Sequence, residues 1–492
     1  MTSNFSSLTR PLRTALLPLV AALVLAGCAS TGEVSTGITA PVQFKEQTAK
    51  GAAAVTANAA PAQPAGNWWV AFNDPVLNDL VERAAVNNTS VQQAAARLAE
   101  ARALARTVDA DRSVQVGLGA GASRQAGIDR NLSNKPSTLL NAGASVSYEV
   151  DLFGKLSGAS HAASLDAQSR ESLLQSARLL VQAETAQTYL SVRALDAERA
   201  LVREQVEAYT DTLRLTERRF KAGDLAELDV ARVQTEVAAT ESDALALDRQ
   251  RALLEHALAV LTGDVASNFS MASLSNASGE WSTALPAIPA GLPSTVLERR
   301  PDIAAAQRSM EAAQARLGVA KTAWFPTIAL TGGGGYASSD LSDLFRWSAR
   351  SWGIGALLSL PLLDGGRREA GVQGASAQLD GALASYREQV LVAFREVEDQ
   401  LASLRLLQEQ SDVQARAVAS ARRATVLSDS RYRNGYVSQL DLLDARRSEL
   451  RNRRLALQVK SAQYQATVGL IKALGGGWDV PSVVAANATV KG

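Results

Sequence analysis

Arg431-Tyr432-Arg433-Asn434-Gly435-Tyr436-Val437-Ser438-Gln439-Leu440-Asp441-Leu442-Leu443-Asp444 separates two long stretches that contain no proline. An earlier run in the same setting reads Arg219-Phe220-Lys221-Ala222-Gly223-Asp224-Leu225-Ala226-Glu227-Leu228-Asp229-Val230-Ala231-Arg232. Each has a basic-aromatic-basic cluster, then a glycine, then Leu-Asp. A glycine just past a helix end suits the left-handed cap, where any Cβ is penalised. Both runs predict sharp reversals between long antiparallel helices.

The flanks carry the helical pattern. Residues 157–220 hold no proline and only Gly158, at the start. At ~1.5 Å per residue this is a rod of roughly 95 Å, which needs a partner along its length. Leu173, Leu180, Ala183, Leu190, Ala194, Ala197, Leu201 and Ala208 supply a heptad-like seam. The pattern resumes over 229–262, at Val230, Val233, Val237, Ala244, Leu247, Leu254, Leu258 and Leu261. A second rod, 367–431, steps by four and three through Leu379, Leu383, Tyr386, Val390, Phe394 and Val397, and its return helix spans 440–474.

Gly154 and Gly366, Gly223 and Gly435, and Gly263 and Gly475 are each 212 positions apart (366 less 154, 435 less 223, 475 less 263). That constancy indicates a tandem duplication. The first repeat is 67–263, with a β-hairpin over 113–151, the long helix 157–220, a tip at 221–228 and the helix 229–262. The second is 294–475, with a hairpin over 325–362, the long helix 367–431, a tip at 432–439 and the helix 440–474. A Pro-rich equatorial connector, 264–293, joins them, and 476–492 form a C-terminal tail. Alternation at Ala144, Val146, Tyr148 and Val150 marks one strand, and Asp74-Pro75 reads as an N-cap and first turn.

The N-terminus is of another kind. Arg10 and Arg13 precede an apolar run from Ala15 to Leu25 and then Ala26-Gly27-Cys28. Such a run is short for a membrane span and fits a signal peptide, 1–27. Leu25-Ala26-Gly27-Cys28 resembles the bacterial lipobox, whose cysteine is lipidated; the alternative is an ordinary cleaved signal with a chance cysteine. Residues 28–66, rich in Ala, Thr, Pro and Gly, read as a lipid-anchored tether. Ala29 after the cysteine favours outer-membrane sorting by the same resemblance.

Cys28 is the single cysteine, so no intramolecular disulfide forms. With 50 Lys+Arg against 49 Asp+Glu and no basic-aromatic cluster, nothing recruits nucleic acid. His161 and His256 lack metal-ligand spacing, Gly332–Gly335 lacks the Lys and Ser/Thr of a phosphate loop, and Asp151-Leu152-Phe153-Gly154 has no kinase context. No enzyme site and no cofactor is predicted beyond the lipid on Cys28. After the signal no stretch is long and apolar enough for a transmembrane helix, so any span is β-barrel. Four strands per chain close a barrel only if several chains contribute; three chains give twelve.

Several stretches together resemble the TolC-like outer-membrane factor family, specifically the lipoprotein channels of RND-type tripartite efflux pumps. They are the lipobox, Trp68-Trp69-Val70-Ala71-Phe72-Asn73-Asp74-Pro75, Tyr148-Glu149-Val150-Asp151-Leu152-Phe153-Gly154 and Leu297-Glu298-Arg299-Arg300-Pro301-Asp302-Ile303. Leu360-Pro361-Leu362-Leu363-Asp364-Gly365-Gly366-Arg367, the second tip and Ala473-Leu474-Gly475-Gly476-Gly477-Trp478 complete the set, which spans nearly the whole mature chain. Arg112 departs from the family's usual proline before the first strand; Pro326 keeps it in the second copy.

The resemblance implies a mostly α protomer with a β-barrel portion. It implies a homotrimer with a twelve-stranded β-barrel continuous with a long twelve-helix α-barrel, in the outer membrane of a Gram-negative bacterium and extending into the periplasm. Expected partners are outer-membrane lipid, a periplasmic adaptor and an inner-membrane RND-type pump; the expected cargo is drugs or other small toxic compounds. Leu440, Asp441, Asp444 and Asp229 match the periplasmic gate, with N-capping or helix-dipole stabilisation as the alternative for the acids. Gly223, Gly435, Arg219, Lys221, Arg431 and Arg433 match the tips and their adaptor contact, with dipole stabilisation again the alternative for the cations. Competing functions are the exit channel of a type I protein secretion system and a non-channel coiled-coil envelope lipoprotein.

Overall fold

A computed structural model describes residues 41–48, 67–126, 136–272, 281, 283–286, 288–289 and 293–477. Cys28, the signal peptide, Asn131, Asn134, Lys135 and the tail beyond Gly477 lie outside the described residues. The helices are α1 (Pro75–Asn87), α2 (Thr89–Ala110), α3 (Lys155–Lys221) and α4 (Glu227–Leu261) in the first repeat. Their counterparts are α5 (Pro293–Arg299), α6 (Pro301–Thr322), α7 (Arg367–Arg433) and α8 (Gln439–Ala473). Strands β1 (Gln115–Gln125) and β2 (Ser137–Val150) precede α3; β3 (Thr327–Ser338) and β4 (Arg350–Ser359) precede α7. The duplication holds element by element: α2 and α6 have 22 residues each, α3 and α7 have 67, and α4 and α8 have 35.

The helices lie side by side as rods. Nearer the strands, α3 takes α2 on one side, through Arg102–Glu171 and Ser160–Asp109, and α6 on the other, through Ser169 to the Ala305 carbonyl. Further down, α3 takes α4 and α8 instead, through Arg251–Asp196 and Arg454–Glu198. The end of α4 meets the start of α2, where Asn88 Nδ2 donates to the Leu261 carbonyl at 3.0 Å. The end of α8 meets the start of α6, where Arg300 Nη1 donates to the Ala473 carbonyl at 3.2 Å. The chain therefore supplies four full-length rods, two continuous and two made of helices abutting end to end.

Those abutments form a belt, and several sequence motifs belong to it. Asp74 caps α1, accepting from Val76 and Leu77 N–H, and its other oxygen accepts from Tyr189 at 2.7 Å and Thr283 at 3.1 Å. Trp68, Phe72 and Tyr464 are fully buried around it, and Trp281 of the connector stacks on Tyr464 at 4.2 Å. Arg300, 6% exposed, holds Asp302 at 2.6 Å and Glu396 of α7 at 2.7 Å. Burial works against the Asp302 charge, but the Arg300 guanidinium outweighs it and holds this carboxyl below its ordinary range. One segment of the expected tether is docked: Phe44 is 1% exposed against Phe394 of α7. Lys45 and Glu46 N–H bond the Glu398 carboxylate at 2.7 and 3.0 Å, and Arg405 grips Glu46. An apolar side chain with two backbone donors beside a carboxylate is reason enough for 41–48 to bind rather than hang free.

The two hairpins form one four-stranded antiparallel sheet in the order β1-β2-β3-β4. β2 pairs with β3 across the repeats, from Leu140↔Ser338 to Val150↔Ile328. Register places Val116, Leu118, Val146, Tyr148, Ile328, Leu330, Ile354 and Leu358 on one face. The other face carries Ser145, Ser147, Thr331, Ser351 and many glycines. This is the apolar-out, polar-in alternation of a membrane barrel wall. Gly143 and Gly335 are register partners on the polar face. A Cβ on Gly335 would collide with the Ala142 carbonyl oxygen, and one on Gly143 would lie 2.8 Å from the Gly334 oxygen. The polar side is thus where the strands converge, as on the concave face of a curling sheet. Rings flank the apolar band at both ends: Phe153 stacks on Phe325 near the helices, and Tyr336, Phe345 and Trp347 gather at the far end. Among the described residues no helix is long and apolar enough to cross a membrane.

Candidate functional site: the helix-hairpin tips

Both reversals close in the same way. At the first, Gly223 (φ 85°) donates to the Phe220 carbonyl and Asp224 to the Arg219 carbonyl, each at 2.9 Å. At the second, Gly435 (φ 79°) donates to Tyr432 at 3.0 Å and Tyr436 to Arg431 at 2.9 Å. This is the Schellman pattern, which satisfies the last carbonyls of α3 and α7. The two tips also touch. Arg219 lies over the buried Tyr432 ring, 5.7 Å from its centroid, and Gln439 Nε2 donates to Thr216 Oγ1 of α3 at 2.8 Å. Tyr209, Val233 and Leu443 form a buried cluster just above, joining α3, α4 and α8.

The acidic residues separate into three situations. Asp441 completes a capping box with Ser438: Ser438 N–H and Oγ donate to it at 3.0 and 2.7 Å, and Asp441 N–H donates back to Ser438 Oγ at 3.3 Å. The Ser438 hydroxyl and amide bonds hold the Asp441 carboxyl below its ordinary range. Asp229 occupies the same place in α4, but Ala226 offers no side-chain capping oxygen, and the Asp229 carboxylate instead lies 3.6 Å from Arg232. Asp444 is exposed and pairs with Arg447 at 2.9 Å. Leu440 is also exposed, beside Asp441.

The cations divide too. Arg433 pairs with Asp429 at 2.7 Å, Arg219 is held over Tyr432, and Arg431 and Lys221 are exposed at the end of their helices. Sequence reading singled out none of the arginines of α8, yet they tie the rods together. Arg447 reaches past α3 to Glu236 of α4, and Arg454, two turns higher, binds Glu198 of α3 and Asp243 of α4. Arg446 donates to Thr212 of α3 at 2.6 Å and pairs with Asp429 of α7. The bond to Glu236 keeps Arg447 firmly protonated. The seven-residue interval from Arg447 to Arg454, matched by Glu236 to Asp243, was the available signal. Among the described residues no cluster of His, Cys, Asp or Glu could hold a metal ion.

A profile of the outer membrane efflux protein family matches residues 80–264 and 292–476, once over each repeat. The chain belongs to that family. It is 33% identical over 467 residues to the pyoverdine export outer membrane protein OpmQ of Pseudomonas aeruginosa, covering 93% of this chain and 96% of that one. The cation efflux system protein CusC of Escherichia coli K12 is 31% identical over 94% of this chain and 99% of its own. Among solved structures, the outer-membrane channel OprN superposes with a TM-score of 0.82 at 30% identity, covering 92% of this chain and all of that one. The family places the chain in the Gram-negative outer membrane, as a channel protein with a β-barrel part and a helical-barrel part. The apolar sheet face is then the lipid face, and the tips are the end furthest into the periplasm.

Proposed function

We propose that this chain is the exit duct of a tripartite efflux pump, passing drugs or other small toxic compounds passively from periplasm to exterior. It works as a homotrimer anchored by a lipid on Cys28, and a periplasmic adaptor and an inner-membrane RND-type pump open it. The observation that carries this reading is the open protomer. A four-stranded sheet whose outer strands, β1 and β4, have no further strand beside them among the described residues continues into four rods. Three copies close both into rings of about twelve strands and twelve helices, with no unpaired sheet edge left in the membrane. Relatives exporting pyoverdine and cations support efflux over protein secretion.

The duct narrows at the tips. Asp441 and Asp444, three positions apart and both exposed, form the gate's ring of carboxylates with Leu440 beside them. Asp229 is half-buried beside Arg232, whereas Asp444 stays exposed although it pairs with Arg447, so Asp229 contributes less. Arg431, Arg433, Arg219 and Lys221 around Gly223 and Gly435 offer the adaptor a cationic collar. In planar bilayers, Asp441→Ala combined with Asp444→Ala should raise single-channel conductance and weaken cation selectivity. Conductance and selectivity both unchanged would take these residues out of the gate. Charge reversal at Arg431 and Arg433 should abolish crosslinking to the adaptor; full retention would leave the collar a dipole feature only.

A further inference from the structure

The end of the sheet furthest from the helices carries a cation on the lipid face. Arg350 opens β4 and is the register partner of Tyr336, on the same face as Ile354 and Leu358. Eight residues at ~3.3 Å, tilted by ~40°, set it roughly 20 Å beyond Leu358, near the outer edge of the apolar band. Its guanidinium lies 3.9 Å from the centroid of the Trp347 ring. No carboxylate pairs with it among the described residues. The acids of the neighbouring loop are engaged elsewhere, Asp343 by Arg346 at 3.1 Å and Asp340 by Ser339 at 3.2 Å. Phe345, Trp347 and Trp352 around it are 70%, 73% and 78% exposed.

We propose that Arg350, seated on Trp347, binds the phosphate of an anionic outer-leaflet lipid, with Phe345 and Trp352 against its acyl chains. A guanidinium at the edge of hydrocarbon keeps its charge and needs an acceptor. The planar fork suits a phosphate, and stacking on the indole fixes its orientation while leaving the N–H edge free. Trp side chains prefer the boundary between headgroup and acyl chain, and aromatic residues form the girdle of a membrane barrel at that depth. Two sources carry this chemistry, the phosphorylated glycolipid of the outer leaflet (lipid A) and a phospholipid headgroup. The proposal rests on outer-membrane insertion and not on the identity of the cargo.

The test uses the full-length purified protein in phosphatidylcholine nanodiscs doped with bisphosphorylated lipid A, dephosphorylated lipid A or phosphatidylglycerol. Native mass spectrometry reads retained lipid, and the thermal midpoint reads stability. The wild type should retain phosphorylated lipid about tenfold better than Arg350→Ala, the loss of one charge-assisted contact. Arg350→Lys, which keeps the charge, should retain an intermediate amount and guards against misfolding of the alanine variant. Retention of lipid A alone assigns the outer-leaflet glycolipid, and equal retention of phosphatidylglycerol assigns a general phosphate site; both uphold the proposal. Equal retention by wild type and Arg350→Ala, or of the dephosphorylated lipid, would overturn it. So would a fall in the Arg350→Ala midpoint that is the same in every lipid, which would place Arg350 in a contact between subunits.

Discussion

Ala226 and Ser438 hold equivalent places before the return helices, and that one difference settles what the acid three positions later does. With a serine hydroxyl available, Asp441 is drawn into a capping box; without one, Asp229 turns to Arg232. A capping carboxylate is held in one rotamer at the tip, so a role in capping and a role in the gate are compatible at Asp441. The pH dependence follows from the sign of its shift. Its folded pKa lies below the ordinary aspartate value of about 3.9. The box therefore contributes fully above that value and is lost as pH falls through the lower folded one. In an Asp444→Ala background, cation selectivity should persist at about pH 5 and fade only below about pH 4. Reversal potentials across a salt gradient read this, and a loss already near pH 5 would show that Asp441 does not carry the selectivity.

At the scale of elements, the sheet is governed by how closely β2 and β3 approach. Gly335 has backbone atoms of Ala142 and Gly143 where a Cβ would sit, whereas a Cβ on Gly332 of the same strand would make only ordinary contacts, 3.9 Å from an Ile354 methyl and 4.0 Å from the Gly353 oxygen. Gly335→Ala should split this strand pair or flatten the sheet, and the yield of heat-resistant trimer on gels should fall severalfold. Gly332→Ala should leave it unchanged. Equal behaviour of the two would mean that curvature is set elsewhere. The rods follow another logic. Heptad seams, Schellman turns and arginine links act along their length, so no single contact decides whether they form.

For the whole molecule, the belt is where the repeats are joined, and Arg300 is the side chain that ties α6 to both α7 and α8 there. It bonds Asp302, Glu396 and the Ala473 carbonyl from a nearly buried position. Arg300→Ala leaves carboxylates without their cation, a loss on the order of 3–5 kcal/mol for breaking a buried pair. A clear drop in the trimer's thermal midpoint should follow, with tip conductance unaltered until the protein unfolds. An unchanged midpoint would show that the belt's aromatic packing suffices.

The constant spacing of glycines, the seams and the tip motifs were sufficient to determine the duplicated layout, the long helices and the places where they reverse. They could do so because caps and periodicities are local: Gly435 marks its turn and Asp74 its helix start without reference to anything distant. The Leu-Glu-Arg-Arg-Pro-Asp run was legible as a family signature, but its work as a clamp on α7 and α8 was not, since Glu396 and Ala473 lie far along the chain. The reach of Arg447 to Glu236, the docking of Phe44 on α7 and the joining of two hairpins into one sheet belong to the same class. These depend on which surfaces meet once the rods lie side by side, and many pairings satisfy the same periodicity. Tertiary structure alone selects among them, because packing and charge pairing act across distances that sequence spacing does not encode.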